Sequence, residues 1–313
     1  MPRIHTVTLN PAIDRILYLE KFVPEITNRL SKTADGLGGK GTHVSINLSL
    51  LGIDNQAMGI VHGEIGQRII QLLEEQNVQV CFQHFPEQNS RTNYLLIEDS
   101  GKSTCLSSKG VQLSEQDIDS FLLFMEKHIE EGDYLVLSGD ASNCPDPFVY
   151  NKIMQAFRDK KLKVFLDASG ETLKSCIREK PYMIKPNQDE LSYLCGRSLN
   201  SQEDIIAAVD ELAACEIPVI AVSLGGEGSI VRSSEGTFRN TVPKVQVCNT
   251  IGCGDCFLSG LIYGIYKGLP VEETLKIATA ISAATAEEKT SVGFDADRAK
   301  ELFSQVTVTK LKG

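Results

Sequence analysis

Positive charge is what this sequence is shortest of. Its 31 Lys and Arg face 41 Asp and Glu, a net charge of −10 at neutral pH. That balance argues against nucleic acid or an anionic membrane surface as a partner. A small anionic substrate stays open, because a few local lysines, arginines and backbone N–H groups suffice to hold a phosphate. Long apolar runs are missing too: nothing approaches the ~20 residues needed to span a bilayer. The first ten residues, Met1 to Asn10, have neither a long apolar core nor a small-residue cleavage site. They do not read as a signal peptide, and the protein is expected in the cytoplasm. Tryptophan is absent, and no low-complexity tract or internal repeat stands out.

Metal-ligand spacing is equally scarce. The nine cysteines (Cys81, Cys105, Cys144, Cys176, Cys195, Cys215, Cys248, Cys253 and Cys256) are odd in number and scattered, as reduced thiols are. Cys253 and Cys256 form one Cys-x-x-Cys pair, but no second pair or nearby His completes a zinc site. They read as small packing residues at a helix start.

What is present is an ordinary globular composition, 42% hydrophobic and 23% charged over 313 residues. Large α/β units often run this long as one domain. Tyr134–Leu137, Val164–Asp167 and Pro218–Val222 are short apolar runs that predict strands buried on both faces. Helical patterns cover 114–131, 147–159, 187–194 and 202–215, and then 254–267, 272–288 and 296–305. Strand–helix alternation predicts a mostly parallel sheet with helices on both faces. Residues 14–20, 92–98 and 103–107 alternate weakly and read as short strands outside that sheet, either a small β lid or an antiparallel edge.

Four clusters carry candidate chemistry. Gly252-Cys253-Gly254-Asp255 follows an expected strand, Lys244–Val247, and opens a long apolar helix. Glycines at a helix start let a ligand approach backbone N–H groups. An Asp there repels an anion, so Asp255 either caps the helix or accepts a proton from a hydroxyl beside a transferring phosphoryl group. Gly36-Leu37-Gly38-Gly39-Lys40-Gly41 precedes an amphipathic helix, Thr42–Leu51. It is a polyol or anion cradle, or a flexible turn. It is no Walker loop, since Gly41 follows Lys40. It is a weak dinucleotide fingerprint, since no buried strand runs straight into it. In Lys185-Pro186-Asn187-Gln188-Asp189-Glu190, Asn187 is placed as an N-cap; Asn187 and Glu190 either cap a helix or sit near magnesium-bound phosphates. Ser223-Leu224-Gly225-Gly226-Glu227-Gly228 ends a buried strand, where ligands of parallel sheets bind, and also suits a tight hairpin.

The order of these clusters resembles the ribokinase-like (PfkB) carbohydrate kinases. Thr8-Leu9-Asn10-Pro11-Ala12-Ile13-Asp14, Gly38-Gly39-Lys40-Gly41, Lys185 to Glu190 and Asn249-Thr250-Ile251-Gly252-Cys253-Gly254-Asp255 carry the likeness over nearly the whole chain. The opening motif, Asp167-Ala168-Ser169-Gly170, and Glu288-Lys289 with Gly293 are similar to the 1-phosphofructokinase and tagatose-6-phosphate kinase branch. The resemblance implies a three-layer α/β/α, Rossmann-like fold over 1–313, with lid strands from about 12–36 and 90–108. It implies ATP and Mg2+, leaves K+ activation open, and suggests a homodimer through the lid. It implies that Asp14, Gly38, Gly39, Lys40, His43, Arg91, Asn93 and Ser138 bind a sugar phosphate, with Arg91 and Asn93 gripping the phosphate. Lys185, Asn187, Ser223, Gly225 and Gly228 would line the ATP site and Glu190 would order magnesium, directly or through water. Asp255 would be the base, served by the Gly252-Cys253-Gly254 loop. The expected reaction is phosphorylation of the 6-hydroxyl of fructose-1-phosphate, with a tagatose-6-phosphate (or other ketose phosphate) kinase as the alternative. A non-catalytic sugar- or nucleotide-binding regulator and a dehydrogenase are rival classes. Two departures stand out: His43 replaces the family's usual Asn, and Cys253 and Cys256 replace Ala or Ser.

Overall fold

The computed structural model describes residues 2–312. Its strands, in chain order, are β1 (Ile4–Thr8), β2 (Ala12–Leu19), β3 (Lys32–Gly38), β4 (Gln56–His62), β5 (Gln79–Phe85), β6 (Arg91–Glu98), β7 (Ser103–Leu106), β8 (Tyr134–Ser138), β9 (Lys163–Asp167), β10 (Met183–Ile184), β11 (Val219–Ser223), β12 (Ser229–Ser233), β13 (Gly236–Asn240) and β14 (Val308–Lys312). The helices are α1 (Lys40–Leu50), α2 (Gly63–Glu75), α3 (Glu115–Glu126), α4 (Val149–Ala156), α5 (Gly170–Cys176), α6 (Gln188–Cys195), α7 (Gln202–Ala213), α8 (Cys253–Lys267), α9 (Val271–Glu287) and α10 (Ala296–Phe303).

A ten-stranded sheet has the order β14-β13-β12-β11-β10-β9-β8-β1-β4-β5. From β5 across to β11 its ladders are parallel. The chain then doubles back, and β12, β13 and β14 add antiparallel strands at one edge. The apolar runs are explained by which face each residue serves. Leu135 and Leu137 of β8 enter the core cluster with Val7, Phe121 and Ile153, while Tyr134 and Val136 enter the opposite one with Leu48, Phe165 and Leu261. A strand covered by helices on both sides has no face left for polar residues.

β2, β3, β6 and β7 form a separate four-stranded sheet in the order β3-β2-β6-β7. The weakly alternating segments therefore lie outside the main sheet and not on its edge. β2 pairs in parallel with β6, which sets Asp14 beside Asn93 and Ala12 beside Arg91.

One expected strand is not there. Lys244–Val247 is irregular. Its backbone turns to the end of α9 instead of a neighbouring strand: Gln246 N–H donates to Glu287 and Cys248 N–H to the Ala286 carbonyl. Val242 and Val245 pack against the α9–α10 cluster, which uses the segment's apolar residues without sheet pairing. No helix among the described residues is long and apolar enough to cross a membrane.

Candidate active site

The core strands β1, β8, β9 and β10 end at Thr8, Ser138, Asp167 and Ile184. Chain order reverses beside β1, and ligands of such sheets bind in the crevice outside the strands' carboxyl ends at that point. A cavity of about 470 Å³ lies there, lined by Thr8, Asn10, Gly139 and Asp167 from the large sheet's strand ends. The small sheet contributes Asp14, Arg91 and Asn93 to the same cavity, and the starts of α1 and α8 contribute Lys40, His43, Gly252, Gly254 and Asp255. A neighbouring cavity of about 430 Å³ is lined by Gly225, Gly228, Val245, Val247, Thr250, Cys253, Phe257 and Ala283. Ser223 and Gly254 line both. The two spaces meet at the start of α8, beside Asp255.

Asp255 is the third residue of α8, whose N-cap is Gly252. The cap has no side chain, so Asp255 does not serve as one. Gly252 has φ +85°, and a Cβ there would fall 1.9 Å from the Ser291 carbonyl oxygen, so no other residue fits. Asp255 is 6% exposed. Its Oδ2 lies 2.7 Å from Nδ1 of His43, whose Nε2 lies 2.8 Å from the Leu37 carbonyl oxygen. Burial works against a charged His43 ring, but the hydrogen bond and charge of Asp255, with the Leu37 carbonyl, hold its pKa above the ordinary value. Burial and the nearby Asp255 push the Cys253 thiol up to about 11, so it stays a thiol at neutral pH. Cys256 is fully buried among Ala280, Ala284 and Leu302, as a packing residue.

Asp167, 1% exposed, sits on the floor between two ammonium groups. Lys40 Nζ is 3.2 Å from Oδ1 and Lys185 Nζ is 3.3 Å from Oδ2. Burial disfavours the carboxylate, yet Lys185 and Lys40 outweigh it and keep Asp167 below the usual carboxylate range. A Cβ added at Gly254 would lie 3.7 Å from Lys185 Nζ, so the ammonium group stands over the side left open by that glycine. On the small-sheet side, Ser107 Oγ donates to Asn93 Oδ1, and Asn93 Nδ2 donates to Asp14 Oδ1 at 2.8 Å. That chain fixes one Asp14 oxygen and leaves the other for the cavity. Arg91 is held by the Asn10 carbonyl through Nε, and by Asp140 and the Ser108 carbonyl through Nη1.

Most residues singled out from the sequence converge here, with shifts of emphasis. Gly38 makes room for a protein group before any ligand: a Cβ there would fall 2.1 Å from Asp14 Oδ1. Gly39 takes φ +109° and caps α1. Ser138 is 1% exposed and lies beneath the floor, whose lining at that strand end is Gly139 and Asp140. The end residue of β8 points inward, so the next two face the cavity. Asn187 and Glu190 do form a capping box for α6, and both also line the cavity. Ser223 to Gly228 make the tight β11–β12 hairpin and still border the second cavity. Asp140 escaped the sequence reading. So did Asp167 as a site residue, although its place at the end of a buried apolar run was a usable signal.

Residues 7–295 match the model of the pfkB family of carbohydrate kinases. The chain belongs to that family. It is 32% identical over 310 residues to the 1-phosphofructokinase of Bacillus subtilis, covering 98% of this chain and 100% of that one. It is 31% identical over 311 residues to a tagatose-6-phosphate kinase of Staphylococcus epidermidis, again covering 98% and 100%. Its structure is similar to Escherichia coli phosphofructokinase-2 in complex with potassium, with a TM-score of 0.91 at 25% identity, covering 97% and 99% of the two chains. The pfkB chain is thus an alcohol-acceptor phosphotransferase, and the family implies ATP and Mg2+. The dehydrogenase reading falls: the strand entering the Gly38–Gly41 loop is β3 of the small sheet, half-exposed and outside the parallel core.

Proposed function

We propose that the protein transfers the γ-phosphoryl group of ATP to the 6-hydroxyl of fructose-1-phosphate, giving fructose-1,6-bisphosphate and ADP. The observation that carries the reading is Asp255, a buried carboxylate at the glycine-rich start of α8 where two ligand-sized cavities join. A carboxylate placed there can take a hydroxyl proton as the new O–P bond forms and the γ-phosphorus–ADP oxygen bond breaks. A sugar- or nucleotide-binding regulator would have no use for it. Tagatose-6-phosphate is the second candidate substrate, supported by the nearly equal identity to a kinase named for it.

In this reading the sugar lies in the first cavity, its hydroxyls on Asp14 and the Gly39 backbone. Arg91 exchanges Asp140 for the phosphate already on the substrate, with Asn93 beside it. Adenosine lies in the second cavity, against Val245, Val247 and Ala283, with Ser223, Gly225 and Gly228 at its edge. Lys185 and Lys40 face the phosphates, and the first-turn N–H groups at Gly252–Gly254 receive developing charge. The donor set suits magnesium: Glu190 keeps one carboxylate oxygen on Asn187 N–H, and its side chain borders the cavity. Bound there, directly or through water, Mg2+ would neutralise charge on the nucleotide phosphates. Activation by K+ also fits, since Ser291 sets its carbonyl oxygen behind Gly252 and keeps a buried hydroxyl without a hydrogen-bond partner.

The small sheet acts as a lid that excludes water. Phe22, Ile26, Leu30 and Leu106 are exposed on or beside it, which suits pairing with a second copy. The protein works in the cytoplasm. An ADP-release assay against fructose-1-phosphate, fructose-6-phosphate, tagatose-6-phosphate and unphosphorylated sugars tests the substrate. The expected result is a kcat/KM for fructose-1-phosphate at least roughly tenfold above the rest. A preference for tagatose-6-phosphate would move the assignment to the second candidate, and no ADP release with any sugar would end the kinase reading.

A further inference from the structure

Both nitrogens of the His43 ring face an acceptor. Nε2 lies 2.8 Å from the Leu37 carbonyl oxygen and Nδ1 lies 2.7 Å from Oδ2 of Asp255. A carbonyl oxygen has no proton to give, so Nε2 carries one. A neutral ring would then turn the bare lone pair of Nδ1 onto a carboxylate oxygen. Little water reaches the contact to relieve it, since His43 is 4% and Asp255 6% exposed. Two lone pairs at that distance need a proton between them. We infer that His43 is a charged positioning residue: its imidazolium donates to Asp255 and to Leu37 at once and holds the base with Oδ1 turned to the substrate hydroxyl. This rests on Asp255 being the base.

The pairing resolves an electrostatic conflict at the site. A bare carboxylate at the start of α8 would repel the γ-phosphate it must work beside, whereas the imidazolium–carboxylate pair is neutral. During transfer the hydroxyl proton goes to Oδ1 of Asp255 as the O–P bond forms and ADP leaves; both His43 protons stay in place. The Asn usual at this position in the family could donate one N–H to Asp255, but it would add no charge and would not titrate.

Other charges face the ring from the elements around it. β2 presents Asp14 and α8 presents Asp255, and the same cavity holds Asp167 of β9, which pairs both with Lys40 at the start of α1 itself and with Lys185 just after β10. Burial opposes the ring's charge, but Asp255, the Leu37 carbonyl and Asp14 prevail, so the charged form persists above the ordinary His range. As pH rises through that elevated value, Nδ1 loses its proton and Asp255 its donor. Below it the pair is intact.

Two measurements test this on the full chain. The first is ¹⁵N-histidine NMR without substrate, which depends on neither the sugar nor the reaction. The expected result is a His43 ring that stays protonated at both nitrogens above the ordinary pKa of about 6.5, with the titration returning toward that ordinary value in Asp255→Asn. A wild-type His43 ring that titrates at or below about 6.5 overturns the inference. The second is the pH profile of kcat on the accepted sugar phosphate. Wild type should lose activity about tenfold per pH unit above the His43 pKa, and His43→Asn should lack that alkaline limb. The same limb in both proteins also overturns it. If NMR shows the imidazolium while fructose-1-phosphate is not turned over, the substrate assignment fails and the pair stands.

Discussion

Asp167 holds two ammonium groups from a position that water scarcely reaches, and its removal should be felt in stability. With Lys185 and Lys40 as partners its folded pKa lies below the unfolded value of about 3.9. Its contribution is therefore complete above pH ~4 and is lost as pH falls through the folded value. Asp167→Asn strands the buried Lys185 and should cost about 3–5 kcal/mol at pH 7. Urea melts at pH 7 and pH 3 check this: the gap between variant and wild type should narrow at the lower pH. An equal gap at both would remove the ion pair from the account. Arg91 belongs to the same scale. Arg91→Ala should raise KM for the sugar phosphate about tenfold or more and change kcat less, as the loss of a charged clamp does. An unchanged KM would place that phosphate elsewhere. Residues in glycine-rich or motif-like stretches, such as Asp255, Asp14 and Lys40, were legible from the sequence. Asp140 was not, because its importance comes from lying opposite Arg91, 49 positions away. The His43–Asp255 contact spans 212 positions and was hidden for the same reason.

Elements were legible where a local pattern decided them. β8, β9 and β11 announce themselves because both their faces are buried, but β1, β4 and β5 and helices α2 and α5 do not stand out from the sequence; the helices that do stand out end within a few residues of their limits. Lys244–Val247 reads as a strand from its apolar residues alone; the end of α9 takes its hydrogen bonds instead. The exposed edge strand β14 gives no apolar run to read. α8 and α9 pack closely because two glycines on α8 permit it. A Cβ at Gly260 would fall 2.4 Å from the Ala278 Cα, and one at Gly264 would fall 2.1 Å from Thr274 Oγ1. The first clash is with backbone and cannot swing away. Gly260→Ala should cost about 1–3 kcal/mol, seen as a lower Tm. A Tm equal to wild type would show that the two helices part without cost.

At the scale of the molecule, the large sheet supplies the floor and the small sheet supplies the wall that closes over it. The sequence pattern indicated strands outside the main sheet but not their pairing, since the parallel β2–β6 ladder joins segments some eighty residues apart. Apolar residues left exposed near the small sheet predict a homodimer, and sedimentation at micromolar concentration should find twice the chain mass of 34.3 kDa. A monomer there would leave that face without its proposed cover. The central claim is the base. Steady-state turnover of Asp255→Asn beside wild type, with magnesium, ATP and the accepted sugar phosphate, tests it most directly. kcat should fall about 10²–10⁴-fold while KM stays within about threefold. Turnover close to wild type in that variant would contradict the account.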